Sequence, residues 1–235
     1  MTVPKIPKKY RPRGFDVLYE DRDLIIGDKS AGFLTVAAKW EKQNTIEEIL
    51  NSYVRKGSAQ SRKSVYVVHR LDQATSGVLV FAKSEEAQNF LKNHWKQNVK
   101  TYYAVVRGQL QKKKDLIETH LLEDDDYVVH STTDTTRGKL AQTEYAVVHE
   151  TTHLSLLKIN LLTGKKNQIR VHLSELGHPV VGDAKYGDGK AGAQSQLMLH
   201  SFSIELTHPF SGKRIRIQAD VPDYFKRLVD YAEKI

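Results

Sequence analysis

The sequence predicts an α+β fold: a mixed, largely antiparallel central sheet with flanking helices. Strand-type segments outnumber helical ones. They follow one another across short turns and do not alternate one for one with helices, which argues against a doubly wound parallel sheet. The composition, 40% hydrophobic and 27% charged, is that of an ordinary soluble globular domain.

The elements follow in order. Met1 to Gly14 carries Pro4, Pro7 and Pro12 and reads as an extended basic arm. Phe15–Glu20 and Leu24–Asp28 flank Asp21-Arg22-Asp23, a hairpin turn. Thr45-Ile46-Glu47-Glu48 spells a capping box, and Ile46, Ile49, Leu50 and Tyr53 follow at helical spacing. Residues 57–63 form a polar loop; Val65–Val68 and Gly77–Ala82 are short apolar strands. Ser84-Glu85-Glu86-Ala87 opens a helix to about Gln97, with Ala87, Phe90, Leu91 and His94/Trp95 on one face. Val99–Arg107, Ala141–His149 and Leu154–Leu162 read as strands, the last two joined by a tight turn. Gln168–Leu176 is a short helix with Gly177 at its C′ position. Residues 182–194 make a Gly-rich loop, and 196–207 and 213–219 are strands around a His208-Pro209 turn. Pro222 opens a final helix with Tyr224, Phe225, Leu228, Val229 and Ala232 as its apolar stripe. Residues 111–140 carry no readable pattern.

A chain of 235 residues without cysteine fits one large or two small domains. It buries enough surface to fold without disulfides or a structural metal. Disulfide scaffolds, thiol catalysis, Cys-ligated zinc and iron–sulfur clusters are excluded, and a reducing compartment, the cytoplasm, fits. No apolar run approaches the roughly 20 residues of a membrane span, and residues 1–14 lack the apolar core of a secretory signal. Lys+Arg is 36 against 28 Asp+Glu, a net charge of +8. Five of those cations (Lys5, Lys8, Lys9, Arg11, Arg13) lie in the arm. The sequence pI near 9.4 exceeds the rough mark of about 9 that flags nucleic-acid-binding domains. Acidic runs such as Glu123-Asp124-Asp125-Asp126 show that charge is sorted into patches.

Two motif spellings are set aside. His149-Glu150-Thr151-Thr152-His153 matches H-E-x-x-H, but its flanks are strand-like and the paired threonines suit a turn, not the helix a zinc peptidase needs. Gly187 to Gly192 matches G-x-G-x-x-G, but no amphipathic helix follows, so it reads as a loop.

The stretch that carries chemistry is His69-Arg70-Leu71-Asp72-Gln73-Ala74-Thr75-Ser76-Gly77, between two apolar strands. Such a position is rigid yet reachable. Arg70, Thr75 and Ser76 give Asp72 the neighbours that keep a carboxylate ionised and oriented. The same residues also fit an Asx-type turn capped by hydroxyls. A Ser76–His69–Asp72 triad lacks a nucleophile elbow.

His69–Gly77 resembles the H-R-L-D-x-x-T-S-G signature of the RluA-type pseudouridine synthases. The likeness runs on through 78–83 and Lys100–Gly108. It includes Thr163-Gly164-Lys165-Lys166-Asn167-Gln168-Ile169-Arg170-Val171-His172-Leu173, similar to the family's T-G-R-x-x-Q-I-R-x-H-L block. It continues at 177–183, Tyr186-Gly187, Leu199-His200 and His208-Pro209. Lys165 stands where the family commonly has Arg, and Asn167 where it commonly has His, which bears on substrate choice more than on chemistry.

The resemblance implies a pseudouridine synthase-like catalytic domain over 15–235 that isomerises a uridine in structured RNA, ribosomal or transfer. It implies no cofactor and no metal. By that likeness Asp72, Tyr102 and Arg170 are catalytic. Asp72 is the reacting carboxylate, Arg170 keeps it charged, and Tyr102 stacks on the uracil and handles the C5 proton. Arg70 contacts the extruded nucleotide or fills its vacancy, and Lys158, Lys165 and Lys166 line the phosphate path. The expected protein is a cytoplasmic monomer with no membrane partner. The arm stands in part for the additional N-terminal RNA-binding domain that many relatives carry and that is not expected here.

Overall fold

The structure, a computed structural model, describes residues 11–38, 44–56, 58, 60–187, 189 and 196–231. Lys5, Lys8 and Lys9 of the arm, most of the G-x-G-x-x-G loop and Ala232 lie outside the described residues. The chain divides into two compact units, Met1–Asn98 with Ser201–Ala219 and Val99–His200 with Asp220–Ile235. No linker in the sequence marks this division, because each unit is assembled from two separate stretches of chain.

The first unit holds β1 (Phe15–Glu20), β2 (Leu24–Lys29), α1 (Ile46–Arg55), β3 (Tyr66–Val67), β4 (Ser76–Ala82) and α2 (Glu85–Asn93). Strand β10 (Leu199–Thr207) belongs to it from Ser201 on, followed by β11 (Arg214–Gln218). The strands run β1-β2-β4-β10, with β11 against β10 and β3 against β4. The pairings β1–β2, β2–β4, β3–β4 and β10–β11 are antiparallel, as the sequence predicts. Alternate residues Leu24 and Ile26, Val78 and Val80, Ile204 and Leu206, and Ile215 and Ile217 pack with Ala87 and Leu91 of α2 into one core.

Thr45 caps α1 as its spelling predicts, its Oγ1 accepting from Glu48 N at 3.2 Å. Ile46, Leu50 and Val54 are the buried face; Tyr53 is half-buried and its hydroxyl donates to Glu20 at 2.8 Å. The helix predicted to run to Gln97 ends earlier, at His94. Both the N–H and Nδ1 of His94 crowd the Phe90 carbonyl (3.1 and 2.8 Å), a tight 3₁₀ turn takes over at Trp95–Gln97, and the Trp95 ring packs against His69, tilted by 30° at 4.6 Å between centroids.

The second unit holds β5 (Val99–Arg107), β6 (Lys114–Glu123), β7 (Val129–Thr132), β8 (Lys139–Glu150), β9 (Leu154–Leu161), α3 (Gln168–Glu175) and α4 (Asp223–Leu228). Its strand order is β5-β9-β8-β6-β7, antiparallel throughout. The β6–β7 hairpin fills most of the stretch without readable pattern. Leu121, Val129 and Ala141 pack against Val171 of α3. The H-E-x-x-H spelling is the β8–β9 turn, as expected. Glu150 accepts from Leu110 N and Ser155 Oγ at 3.2 and 3.0 Å, and Thr151 N donates to Leu154 O at 2.8 Å.

Candidate active site

Asp72 lies in the first unit, half-buried, on the loop entering β4. The residues on either side of it are pinned from a distant segment. Before it, buried Thr35 grips Leu71 through one hydroxyl, donating to Leu71 O at 3.0 Å and accepting from Leu71 N at 3.2 Å. After it, Gln73 pairs with Gly32. Gly32 N donates to Gln73 O at 2.8 Å, and Gln73 Nε2 donates to Gly32 O at 3.0 Å. Thr75 N closes the turn onto Asp72 O at 3.0 Å. These bonds fix the backbone at 71, 73 and 75, which confines the Asp72 side chain to a narrow set of directions.

Lys29, at the end of β2, is fully buried with 0% exposure. Its ammonium donates to the carbonyls of Ser30, Phe33 and Gln73 at 3.0, 3.0 and 3.1 Å. Burial pushes its pKa down to about 8, against the opposing attraction of Asp72 and Asp28. Lys29 thus ties the 30–33 segment to the Asp72 loop and places a cation near the carboxylate.

His69 and Gly77 of the signature serve as scaffolding. His69 Nε2 accepts from Val80 N at 3.1 Å, so its proton sits on Nδ1, the wrong tautomer for a base reaching through Nε2. Gly77 has φ +111°, and a Cβ there would lie 2.1 Å from the Ser201 carbonyl oxygen. Only glycine permits that approach. Arg70 is exposed, two residues from Asp72. Arg13, at the end of the arm, lies over the Phe33 ring at 5.6 Å.

Arg170 lies in the second unit, on α3. Its Nε and Nη2 donate to the two Asp183 oxygens at 2.7 and 2.8 Å, a side-on bidentate pair. By the resemblance Arg170 serves Asp72; Asp183 is a partner that the sequence does not single out. Burial raises the Asp183 carboxyl. The hydrogen bonds from Arg170 and from the backbone of Tyr186 and Lys185 outweigh it and hold the group below the usual carboxylate range. The guanidinium also lies 5.1 Å from the centre of the Tyr186 ring.

Two buried polar side chains lock the helix that carries Arg170. Gln168 accepts from Thr163 Oγ1 (2.8 Å) and Lys165 N (3.0 Å) and donates to Gln142 O (3.0 Å) and Thr143 Oγ1 (2.9 Å). His172 sits between Thr143 and Thr119, each 2.9 Å from a ring nitrogen. Burial pushes the His172 pKa down to about 4, keeping the ring neutral.

Tyr102 and Tyr103, on β5, are both buried, with Tyr102 7% exposed. They pair with Ile159 and Lys158 of β9, and Lys158 is exposed. Lys165 is half-buried, its N–H held by Gln168. Lys166, exposed, forms an ion pair with Glu123 on the β6–β7 turn.

Lys29, Thr35 and Asp183 escape the sequence reading. They stand 13 to 44 residues from the side chains or loops they hold, and a buried lysine runs against the usual preference. Among the described residues one group brings metal-ligand atoms within 4.8 Å: Asp21, Asp23 and His208. Its geometry is that of a hydrogen-bonded clasp. His208 Nδ1 accepts from Phe210 N (3.2 Å) and Ser211 N (3.1 Å), which leaves the proton on Nε2 to meet Asp21 at 2.6 Å. No helix of the described residues is long and apolar enough to cross a membrane.

Comparison with known proteins agrees with this geometry. Residues 23–175 match the family model for RNA pseudouridylate synthases. The dual-specificity RNA pseudouridine synthase RluA of Yersinia pestis is 34% identical over 215 residues, covering 87% of this chain and 98% of that protein. The tRNA pseudouridine synthase C of Haemophilus influenzae is 31% identical, with 92% and 96% covered. The ribosomal large subunit pseudouridine synthase D of Nitrosomonas europaea is 36% identical; the match covers 91% of this chain and 64% of that longer protein. In fold, human RNA pseudouridylate synthase domain containing 4 superposes with a TM-score of 0.76 at 22% identity, with 92% of each chain covered. The signature loop around Asp72, the Arg170 helix and these likenesses agree: the chain belongs to the RNA pseudouridylate synthase family, in its RluA-type branch.

Proposed function

We propose that this protein converts uridines in structured RNA, ribosomal or transfer, to pseudouridine, with the Asp72 carboxylate as the reacting group. The observation that carries this reading is the immobilised loop, in which Leu71, Gln73 and Thr75 are each hydrogen-bonded while Asp72 between them is half-buried. A reacting carboxylate needs that combination of fixed direction and access.

In the reaction the N1–C1′ bond of the nucleotide breaks with its electron pair going to the uracil, the uracil turns, C5 bonds to C1′, the C5 proton leaves to the medium and the freed N1 ends with a proton taken up from it. No atom is gained or lost overall and nothing is oxidised or reduced. The ionised Asp72 serves either as nucleophile at C1′ or as the base that takes a ribose proton. Arg170, with its orientation set by Asp183, keeps the carboxylate charged. Tyr102 stacks on the base and handles the C5 proton. Arg70 contacts the extruded nucleotide or fills its vacancy, at an extrusion cost of a few kcal/mol. Lys158, Lys165 and Lys166 meet phosphates. The protein acts as a cytoplasmic monomer.

Relatives named for transfer RNA and for ribosomal RNA are both similar to this chain, so the test is mapping. Total RNA from cells lacking the gene is incubated with the protein, and new pseudouridines are located by sequencing. One or a few sites of high occupancy in ribosomal or transfer RNA are expected; no new site in either class contradicts the reading.

A further inference from the structure

The β6–β7 turn, Glu123-Asp124-Asp125-Asp126-Tyr127, puts four exposed carboxylates side by side. It is a built turn. Tyr127 N donates to Asp124 O at 3.0 Å, Val128 N to Asp124 Oδ1 at 2.7 Å, and Tyr127 takes a left-handed φ of 61°. Two lysines from elsewhere in the same unit are fastened to it. Lys166 pairs with Glu123, reaches Tyr127 O at 3.4 Å, and lies 5.5 Å from the centre of the Tyr127 ring. Lys185 donates to Tyr127 O at 2.7 Å.

These lysines flank the Arg170 helix. Lys166 precedes it by two residues, and Lys185 lies between Asp183, which holds Arg170, and Tyr186, on whose ring Arg170 rests. Tyr186 also ties the hairpin to this place. Its hydroxyl accepts from Val129 N at 3.0 Å and donates to Asn167 Oδ1 at 3.3 Å. The turn's anions thus stand beside the two cations that flank the Arg170 helix.

We propose that this acidic turn is an RNA-discriminating element and Glu123 a specificity-determining residue. The turn holds Lys166 and Lys185 in place of phosphates. It yields them only to RNA whose backbone reaches both lysines together with the rest of the site. The Lys166–Glu123 pair is exposed on both sides and therefore weak, so a phosphate displaces it readily when other contacts hold the RNA in register. A flexible single strand, without those contacts, must compete with the carboxylate unaided. Rigid presentation of several phosphates is rewarded, and casual polyanion binding is reduced. The inference rests on the reading that Lys166 meets RNA, which its own arm of the experiment tests separately.

The test measures equilibrium binding of a uridine 20-mer and of bulk transfer RNA between 50 and 200 mM salt. The proteins are wild type, Glu123→Gln, Lys166→Ala, the double variant, and Asp125→Asn/Asp126→Asn. Glu123→Gln is expected to bind the 20-mer about three- to tenfold more tightly. Its salt slope should steepen by about 0.7, the value for one phosphate contact on a single strand, while transfer RNA affinity changes less than twofold. Asp125→Asn/Asp126→Asn, which leaves the ion pair in place, should shift 20-mer binding the same way by a smaller factor. In the Lys166→Ala background the Glu123 effect should vanish. If Lys166→Ala weakens binding but Glu123→Gln changes neither affinity nor slope, discrimination by the turn is wrong and RNA contact by Lys166 stands. If Lys166→Ala has no effect on either RNA, the contact itself is wrong and the inference falls with it, while uridine isomerisation is judged by the mapping alone.

Discussion

Replacing Lys29 by Met removes a buried cation and keeps a side chain of similar reach. Two effects oppose each other. Burial holds the ammonium's pKa at about 8, against an ordinary 10.5. At about 1.4 kcal/mol per pH unit, keeping it charged costs about 3 kcal/mol, which Met avoids. Against this, the carbonyls of Ser30 and Phe33 lose their Lys29 donor, at about 1–3 kcal/mol each, whereas Gln73 O retains the Gly32 N–H. The two nearly cancel, so stability at pH 7 should change by less than about 3 kcal/mol in either direction. The pH dependence is decisive. Between pH 8 and 10.5 the unfolded chain keeps the Lys29 proton that the folded chain has lost, so raising pH stabilises the wild type by about 1.4 kcal/mol per unit. Urea unfolding of both proteins should therefore show wild type gaining about 2 kcal/mol on Lys29→Met between pH 8 and 9.5. A flat difference would refute the buried-ammonium account of this loop. Turnover should fall at least about tenfold in the variant at pH 7.5, because the Lys29 bond to Gln73 is lost and a small displacement of a reacting group is costly.

Other outcomes follow from the same geometry. Arg170→Met leaves the Asp183 side chain, 0% exposed, buried without its guanidinium; urea unfolding should show a loss of about 3–5 kcal/mol, partly recovered by adding Asp183→Asn. Gly77→Ala forces a Cβ onto the Ser201 carbonyl at a φ of +111°, and thermal unfolding should register at least about 3 kcal/mol of destabilisation. His172 stays neutral in the fold down to about pH 4 but takes up a proton at about 6.5 when unfolded. Wild-type stability should therefore fall relative to His172→Gln as pH drops from 6.5 to 4, by up to about 3 kcal/mol.

The sequence shows its local patterns most clearly. Val99–Arg107, rich in Val and Tyr, forms β5 at those bounds, and Gly177 ends α3 with φ +84°. The Thr45 and Ser84 caps also form as spelled. The β6–β7 hairpin stays hidden because only Leu121 along β6 is buried, so Lys114–Glu123 shows no one-sided apolar pattern. The site divides in the same way. Asp72, Arg70, Tyr102 and Arg170 lie in contiguous signatures. The groups that position them are ordinary in type: a threonine at 35 and a lysine ending β2, both far from the Asp72 loop in sequence, and an aspartate 13 residues beyond Arg170. Their roles arise from burial and direction, which only the fold supplies. The same holds for Lys166, a phosphate ligand by sequence whose observed partner is a glutamate.

The central claim is that Asp72 performs chemistry on uridine in RNA and is not there to hold a turn. The most direct measurement is tritium release from RNA labelled at uridine C5, by wild type and by Asp72→Asn, with RNA binding measured alongside. The account predicts release by wild type, at least about a thousandfold less by the variant, a loss on the scale of about 4 kcal/mol of barrier, and RNA affinity within a few-fold. Equal release by both proteins, or a variant that no longer binds RNA or no longer folds, would contradict it.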